Sequence, residues 1–137
     1  MGRSRIGIVI PARNEEKTIK KVIVSLKKYG DVLVVDDSSS DKTTLILKNL
    51  GTKFIKNKNN LGYEATVIKG MRYFLRKKYK YIATFDADDE HDPKFFKNVK
   101  KIKNFDLLIG KRRKLNRISE YIFSFFVKLF FGIHDPL

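Results

Sequence analysis

The sequence predicts an α/β domain with a mainly parallel central sheet. Three observations point there. Short apolar runs rich in β-branched residues recur along the chain. The stretches between them carry helical spacing, and the two patterns alternate strictly. Near-continuous apolar runs suit strands buried on both faces, and strand–helix alternation implies parallel strands joined by helical crossovers. With 137 residues, the chain is long enough for one core.

Residues 6–11 (IGIVIP) and 31–36 (DVLVVD) read as the first two strands. Residues 52–56 (TKFIK) form a weaker run, expected at a sheet edge, and residues 80–85 (KYIATF) and 106–110 (DLLIG) supply two more. The first helix is expected over residues 15–29, with Ile19, Val22, Ile23 and Leu26 on one face. The second spans 41–50, with Asp41 as N-cap and Leu45, Ile46 and Leu50 as its buried stripe. The third spans 63–78 and buries Val67, Met71, Phe74 and Leu75. Asp92-Pro93 opens a fourth, running to about residue 103, because proline favours the first helical position. Residues 118–131 (ISEYIFSFFVKLFF) carry one narrow polar stripe, Glu120, Ser124 and Lys128, on an otherwise apolar helix. Such a helix needs burial, a partner or lipid contact, and it is too short and too charged to span a bilayer.

The absence of cysteine excludes disulfides, thiolate zinc sites and cysteine nucleophiles, and two histidines argue against a multi-histidine metal site. The apolar stretch at the N-terminus is too short for a signal peptide or a membrane span, so a cytoplasmic protein is expected. Thirty Lys and Arg against fifteen Asp and Glu give a net charge of +15. Such an excess accompanies anionic partners, nucleic acid or membrane, and also arises from heat-adapted composition. No nucleic-acid-binding motif supports the first of these partners. The acids, in contrast, are grouped: Glu15-Glu16, Asp36-Asp37, and residues 86–92.

Ligands of open parallel sheets bind beyond the carboxyl ends of the strands. Ala12-Arg13-Asn14-Glu15 follows the first strand, and Asp36-Asp37-Ser38 the second. Asp86-Ala87-Asp88-Asp89-Glu90-His91 follows the fourth, and Lys111-Arg112-Arg113 the fifth. Asp86-x-Asp88 is the strongest element. Two carboxylates on one side of an extended segment can hold a hard divalent cation that also binds phosphate oxygens. The competing reading is a solvated acidic loop. A carboxylate at Asp36-Asp37 can accept from a ribose or a base, or can cap the following helix. Glu15 can bind a ribose hydroxyl or simply favour a helix N-terminus. Residues 59–62 (NNLG) read as a turn. No GxGxxG or GxxxxGK[ST] is present, so neither a dinucleotide fingerprint nor a P-loop is expected.

IVIPARNEE, VLVVDDSSSDKT, NNLGYEATVIKGM and YIATFDADDEHDP, in this order and spacing, resemble family 2 glycosyltransferases of the GT-A fold. DAD followed by EHDP and LLIGKRR resembles the dolichyl-phosphate mannose synthase-like branch. The resemblance implies a GDP- or UDP-sugar donor, Mg²⁺ or Mn²⁺, and transfer of a hexose with inversion to a lipid-phosphate (polyprenyl or dolichyl) acceptor. It implies that Pro11, Arg13 and Glu15 line the nucleoside pocket, with Arg13 where many members carry Tyr. Val35 and Asp37 then contact base and ribose, and Asp86 and Ala87 lie beside the diphosphate. Asp88 ligates the metal with Asp86, and Glu90 adds a third carboxylate where members often have Gln. Arg112 and Arg117 pair with donor or acceptor phosphates.

The division expected is a nucleotide-sugar-binding core over 1–116 and a hydrophobic helix over 117–137. That helix would contact the cytoplasmic membrane face peripherally, or a homodimer or membrane-protein partner. Relatives continue past the point where this sequence stops, so the donor half is expected here and much of the acceptor half is not. Two other readings compete. One is a non-catalytic nucleotide-sugar-binding subunit of the same fold. The other is a receiver-like phosphoacceptor domain, against which the acidic pair follows the second strand rather than the first.

Overall fold

A computed structural model describes residues 6–99. The elements alternate as β1 (Ile6–Ala12), α1 (Ile19–Leu26), β2 (Asp31–Asp36), α2 (Thr43–Asn49), β3 (Phe54–Lys56), α3 (Tyr63–Arg76), β4 (Tyr81–Thr84) and α4 (Phe95–Val99). The four strands form one sheet in the order β3-β2-β1-β4, and every neighbouring pair is parallel. The weak third strand is indeed at an edge. The expected strand at 106–110, the cations Arg112 and Arg117, the helix at 118–131 and the boundary at 116/117 lie outside the described residues.

The strand order locates the ligand edge. The chain builds β1, β2 and β3 in one direction and then crosses back to lay β4 on the other side of β1. Connections therefore diverge between the carboxyl ends of β1 and β4, and such a reversal opens a crevice.

Alternation along the strands divides the core into two layers. Ile8 and Ile10 of β1 and Val32 and Val34 of β2 pack on α1 and α2. Val9, Leu33 and Val35 face the opposite way, with Phe74 of α3. Ile19, Val22, Ile23 and Leu26 are all buried, so the period-3.6 stripe of α1 is the one expected. Full burial of an Ile, Leu or Val side chain contributes roughly 1.5–3 kcal/mol relative to exposure. α3 approaches the sheet closely at Gly70, where a Cβ would stand 2.3 Å from Val9 Cγ1. Only glycine gives the helix this seat.

Two helix faces differ from expectation. In α2, Leu45 is 54% exposed and Leu47 is fully buried. Thr43 and Leu47 are buried, and Ile46 and Leu50 are half-buried against the same core. The reason is a long-range bond: the Thr43 hydroxyl accepts the Glu15 N–H at 2.8 Å, which turns the first residue of the helix inward. In α3, Leu75 is 61% exposed, and Thr66, Gly70 and Phe74 are the buried residues. The close seat at Gly70 fixes that rotation. Asp41 caps α2 from one residue outside the N-cap Lys42, its carboxylate accepting the Thr43 N–H at 2.9 Å.

Candidate functional site

Beyond the carboxyl ends of β1, β2 and β4 lies a cleft of ≈ 390 Å³. Pro11, Ala12 and Arg13 form its floor at the end of β1, and Glu15 continues that wall. Asp37 enters from β2. Asp86, Ala87 and Asp88 enter from the segment after β4. The sequence motifs singled out after these three strands thus meet in one concavity.

Hydrogen bonds tie the strand-end loops to one another. Asn14 and Ser38 both adopt left-handed backbone angles, φ 57° and φ 62°. The two turns then zip together: Asn14 N–H donates to Ser39 Oγ at 3.0 Å, and Ser40 N–H donates to Asn14 Oδ1 at 2.9 Å. Glu16 N–H donates to Asp41 at 3.0 Å, and Lys42 N–H returns a bond to Glu16 at 3.0 Å. Two adjacent acids divide the labour. Asp36 is fully buried, with Ser39 N–H donating to one carboxylate oxygen at 2.9 Å and Thr44 Oγ1 to the other. It serves the loop rather than the cleft.

Asp37 organises the opposite wall. Its Oδ1 accepts Asn57 Nδ2 at 2.8 Å and Leu61 N–H at 2.9 Å, and its Oδ2 accepts Gly62 N–H at 2.9 Å. Burial pushes its carboxyl pKa up, and the hydrogen bonds from Asn57, Leu61, Gly62 and Thr66 outweigh it, holding the pKa below the usual 3.8. The carboxylate therefore stays charged at neutral pH and pins the turn before α3. That turn closes at Gly62 in a positive-φ conformation, φ 85°, that suits glycine.

A wall the motif reading had treated as a turn comes from this segment. Asn60, Gly62, Tyr63 and Thr66 line the cleft. Tyr63 donates its hydroxyl to Asp86 Oδ1 at 2.9 Å. Burial of that hydroxyl, then the hydrogen bond and the charges of Asp86 and Asp88, push its pKa up to about 12. His91 Nε2 stands 3.0 Å from the other Asp86 oxygen, with its ring edge-on to Phe85. The signal for Tyr63 was its place directly after a turn on the ligand edge of the sheet.

The acidic segment does not assemble as a three-carboxylate cage. Glu90 N–H donates to Asp88 Oδ1 at 3.0 Å, and Asp89 between them takes φ 63°. The backbone bends there, and Glu90 is not among the residues lining the cleft. Among the described residues no three acidic or imidazole side chains cluster as a metal cage. Asp86 and Asp88 remain as hard oxygen donors on the cleft wall. Val35 is also displaced from its expected role: its side chain is fully buried beneath α3 and does not reach the cleft. Arg13 and Glu15 line the cleft, and Thr18 Oγ1 donates to a Glu15 carboxylate oxygen at 2.9 Å.

Residues 7–119 match the family model for glycosyl transferase family 2. The chain belongs to this family. An uncharacterized protein of Methanocaldococcus jannaschii is 38% identical over 117 residues, covering 82% of this chain and 48% of that relative. The UDP-N-acetylglucosamine–dolichyl-phosphate N-acetylglucosaminyltransferase of Methanococcus voltae is 32% identical over 112 residues, covering 68% of this chain and 45% of its own length. Among solved structures, glucosyl-3-phosphoglycerate synthase of Mycobacterium tuberculosis, in complex with Mn²⁺, UDP and glucosyl-3-phosphoglycerate, superposes with TM-score 0.54 at 25% identity. That match covers 67% of this chain and 37% of the synthase. S. aureus TarS superposes with TM-score 0.54 at 25% identity, covering 71% of this chain and 31% of TarS. The fold is GT-A, and the chain spans about half the length of the curated relatives it matches.

Proposed function

We propose that the chain is the donor-binding part of a glycosyltransferase that moves a hexose, with inversion, from a nucleotide sugar to a polyprenyl phosphate. The observation that carries this is the convergence, at the point where the sheet order reverses, of Asp37 on one wall and Asp86 and Asp88 on the other. A nucleoside fits between Pro11–Arg13 and the Asp37-pinned turn, and the diphosphate then points toward Asp86 and Asp88. The UDP complexes of the mycobacterial synthase and the UDP-sugar donor named for the Methanococcus enzyme favour UDP over GDP. The dolichyl phosphate in that enzyme's name supports the acceptor.

The donor set fits Mg²⁺ or Mn²⁺. Both ions take carboxylate oxygens and keep room for phosphate oxygens. Asp86 is held by Tyr63 and His91, while one Asp88 oxygen takes no hydrogen bond among the described residues. Asp88 is thus the first ligand in this reading, with Asp86 beside it. A bound cation supplies neutralisation of the charge that grows on the departing diphosphate. Arg13, exposed on the cleft floor, lines the nucleoside side of the cleft in this reading. Arg112 and Arg117 are proposed to pair with donor or acceptor phosphates. A lipid-phosphate acceptor is largely ionised near neutral pH, its second pKa being about 6, so its attack on the sugar carbon needs no general base.

Calorimetry with UDP and GDP, with and without Mn²⁺, tests the site. UDP binding strengthened by Mn²⁺, with the strengthening lost in Asp88→Ala, is expected. Metal-dependent binding that survives Asp88→Ala rejects the assignment. Sugar transfer to a polyprenyl phosphate separates the enzyme from a non-catalytic nucleotide-sugar-binding subunit.

A further inference from the structure

A second concavity of the described residues is distinct from the cleft. It has a volume of ≈ 710 Å³ and lies along the outer flank of α3 beside β3. Ile55, Leu61, Ala65 and Ile68 give it an apolar lining. Lys69, Arg72, Arg76 and Lys77 line it too, and no acid does. Lys53 adds a further cation, its Nζ 5.8 Å from the ring centre of Tyr73.

The apolar groups are regularly placed. Ile68 and Leu75 stand seven residues apart on α3 and are 47% and 61% exposed, and Leu61, in the turn before the helix, is 53% exposed. Residues at that spacing share one line along a helix. Large aliphatic side chains projecting in a line and flanked by cations are the pattern of a helix that rests in a membrane interface. The apolar groups enter the acyl boundary while the cations meet anionic headgroups.

Charge selects among occupants. A second copy would bring the same basic rim on a chain of net charge +15, so an isologous contact here is repelled. Short stretches of β3 edge offer little to a pairing strand, since β3 has three residues. We propose that the outer face of α3 docks on the surface of an anionic bilayer. Leu61 belongs to this face, while its neighbours Asn60 and Gly62 line the cleft. Docking therefore sets one cleft wall against the lipid surface, where a lipid phosphate would be met. That consequence rests on the function proposed above; the docking surface does not.

The test is co-sedimentation of the full chain with vesicles of phosphatidylcholine alone, or with anionic phosphatidylglycerol added. Binding is expected only to the anionic vesicles and should fall as salt rises. Arg72→Gln with Arg76→Gln is expected to weaken it, by roughly fivefold per cation removed. Ile68→Ser with Leu75→Ser should also weaken it at unchanged net charge. Lys20→Gln with Lys27→Gln, exposed cations on α1 and at its C-cap, serves as the charge control and should retain more of the binding. Equal losses in the α1 and α3 cation pairs, or no loss in the Ile68/Leu75 pair, overturn the proposal. So does binding to soluble polyglutamate, sensitive to the α3 changes, with none to vesicles. All variants alter exposed side chains, and UDP calorimetry on the same preparations reports the cleft separately. Intact UDP binding with failed docking sinks only the docking surface.

Discussion

Tyr63 at the start of α3 donates its hydroxyl to Asp86 beyond β4, 2.9 Å away and 23 residues later in the chain. The bond ties the turn pinned by Asp37 to the acidic segment, so the two walls of the cleft are held by one side chain. Tyr63→Phe removes the bond and leaves the ring. The expected result is UDP binding weakened roughly fivefold, the equivalent of about 1 kcal/mol for a hydrogen bond to a charged group near solvent. Stability should change by less than about 0.5 kcal/mol because Tyr63 is exposed. With the pKa raised from 10.0 to about 12, the hydroxyl remains a donor throughout neutral pH. The unfolded chain ionises first, so this contribution to stability is complete below pH 10.0 and fades as pH rises toward about 12. Absorbance titration of wild type against Tyr63→Phe reads it.

Asp37 carries a different load, since three donors of the turn depend on it. Asp37→Ala leaves the Leu61 N–H without its acceptor and the Gly62 N–H with Asn60 Oδ1 at 3.1 Å, and a loss of about 2–3 kcal/mol in urea unfolding is expected. The pKa lies below 3.8, so its stabilisation is present above that pH and lost as acid carries the protein down through the folded value. Asp37→Asn should flatten this part of the acid-unfolding profile. A profile unchanged by Asp37→Asn contradicts the role.

The bend at Asp88–Glu90 separates two acids that the family resemblance groups around one metal. Asp88→Asn is expected to lower Mn²⁺-dependent UDP affinity by at least about tenfold, the scale of a lost charged ligand. Glu90→Gln is expected to change it less than about threefold, since Glu90 is absent from the cleft lining. Equal effects from the two, measured by calorimetry, would restore the three-carboxylate reading.

The rotation of α2 is checked by its leucines. Leu47→Ala deletes a fully buried side chain and should cost about 2–5 kcal/mol. Leu45→Ala, at 54% exposed, should cost under about 0.5 kcal/mol apart from any gain in helix propensity. The order of the two midpoints in urea decides it.

Much of this arrangement is legible in the order of residues. The strands at Ile6–Ala12 and Asp31–Asp36 are short runs of apolar β-branched residues, and their burial follows from that composition. The stripe Ile19, Val22, Ile23 and Leu26 is a local period, and all four residues are buried. Asp86 and Asp88 follow a strand, and strand ends share an edge in any parallel sheet. Local periodicity failed in α2, where a bond from Glu15, 28 residues earlier, sets the rotation. It failed for Leu75 because Gly70 decides which side of α3 meets the sheet.

Sequence by itself determined the alternating elements, the parallel sheet, and which strand ends carry acids, because each depends on neighbours a few residues apart. Tertiary structure alone decided that Asp37 pins a turn, that Tyr63 reaches Asp86, that Glu90 stands apart from the cleft, and that Val35 lies beneath α3. Each of these is a contact across the sheet or between loops. The distance between such groups is set by how the layers pack, which a one-dimensional pattern does not encode.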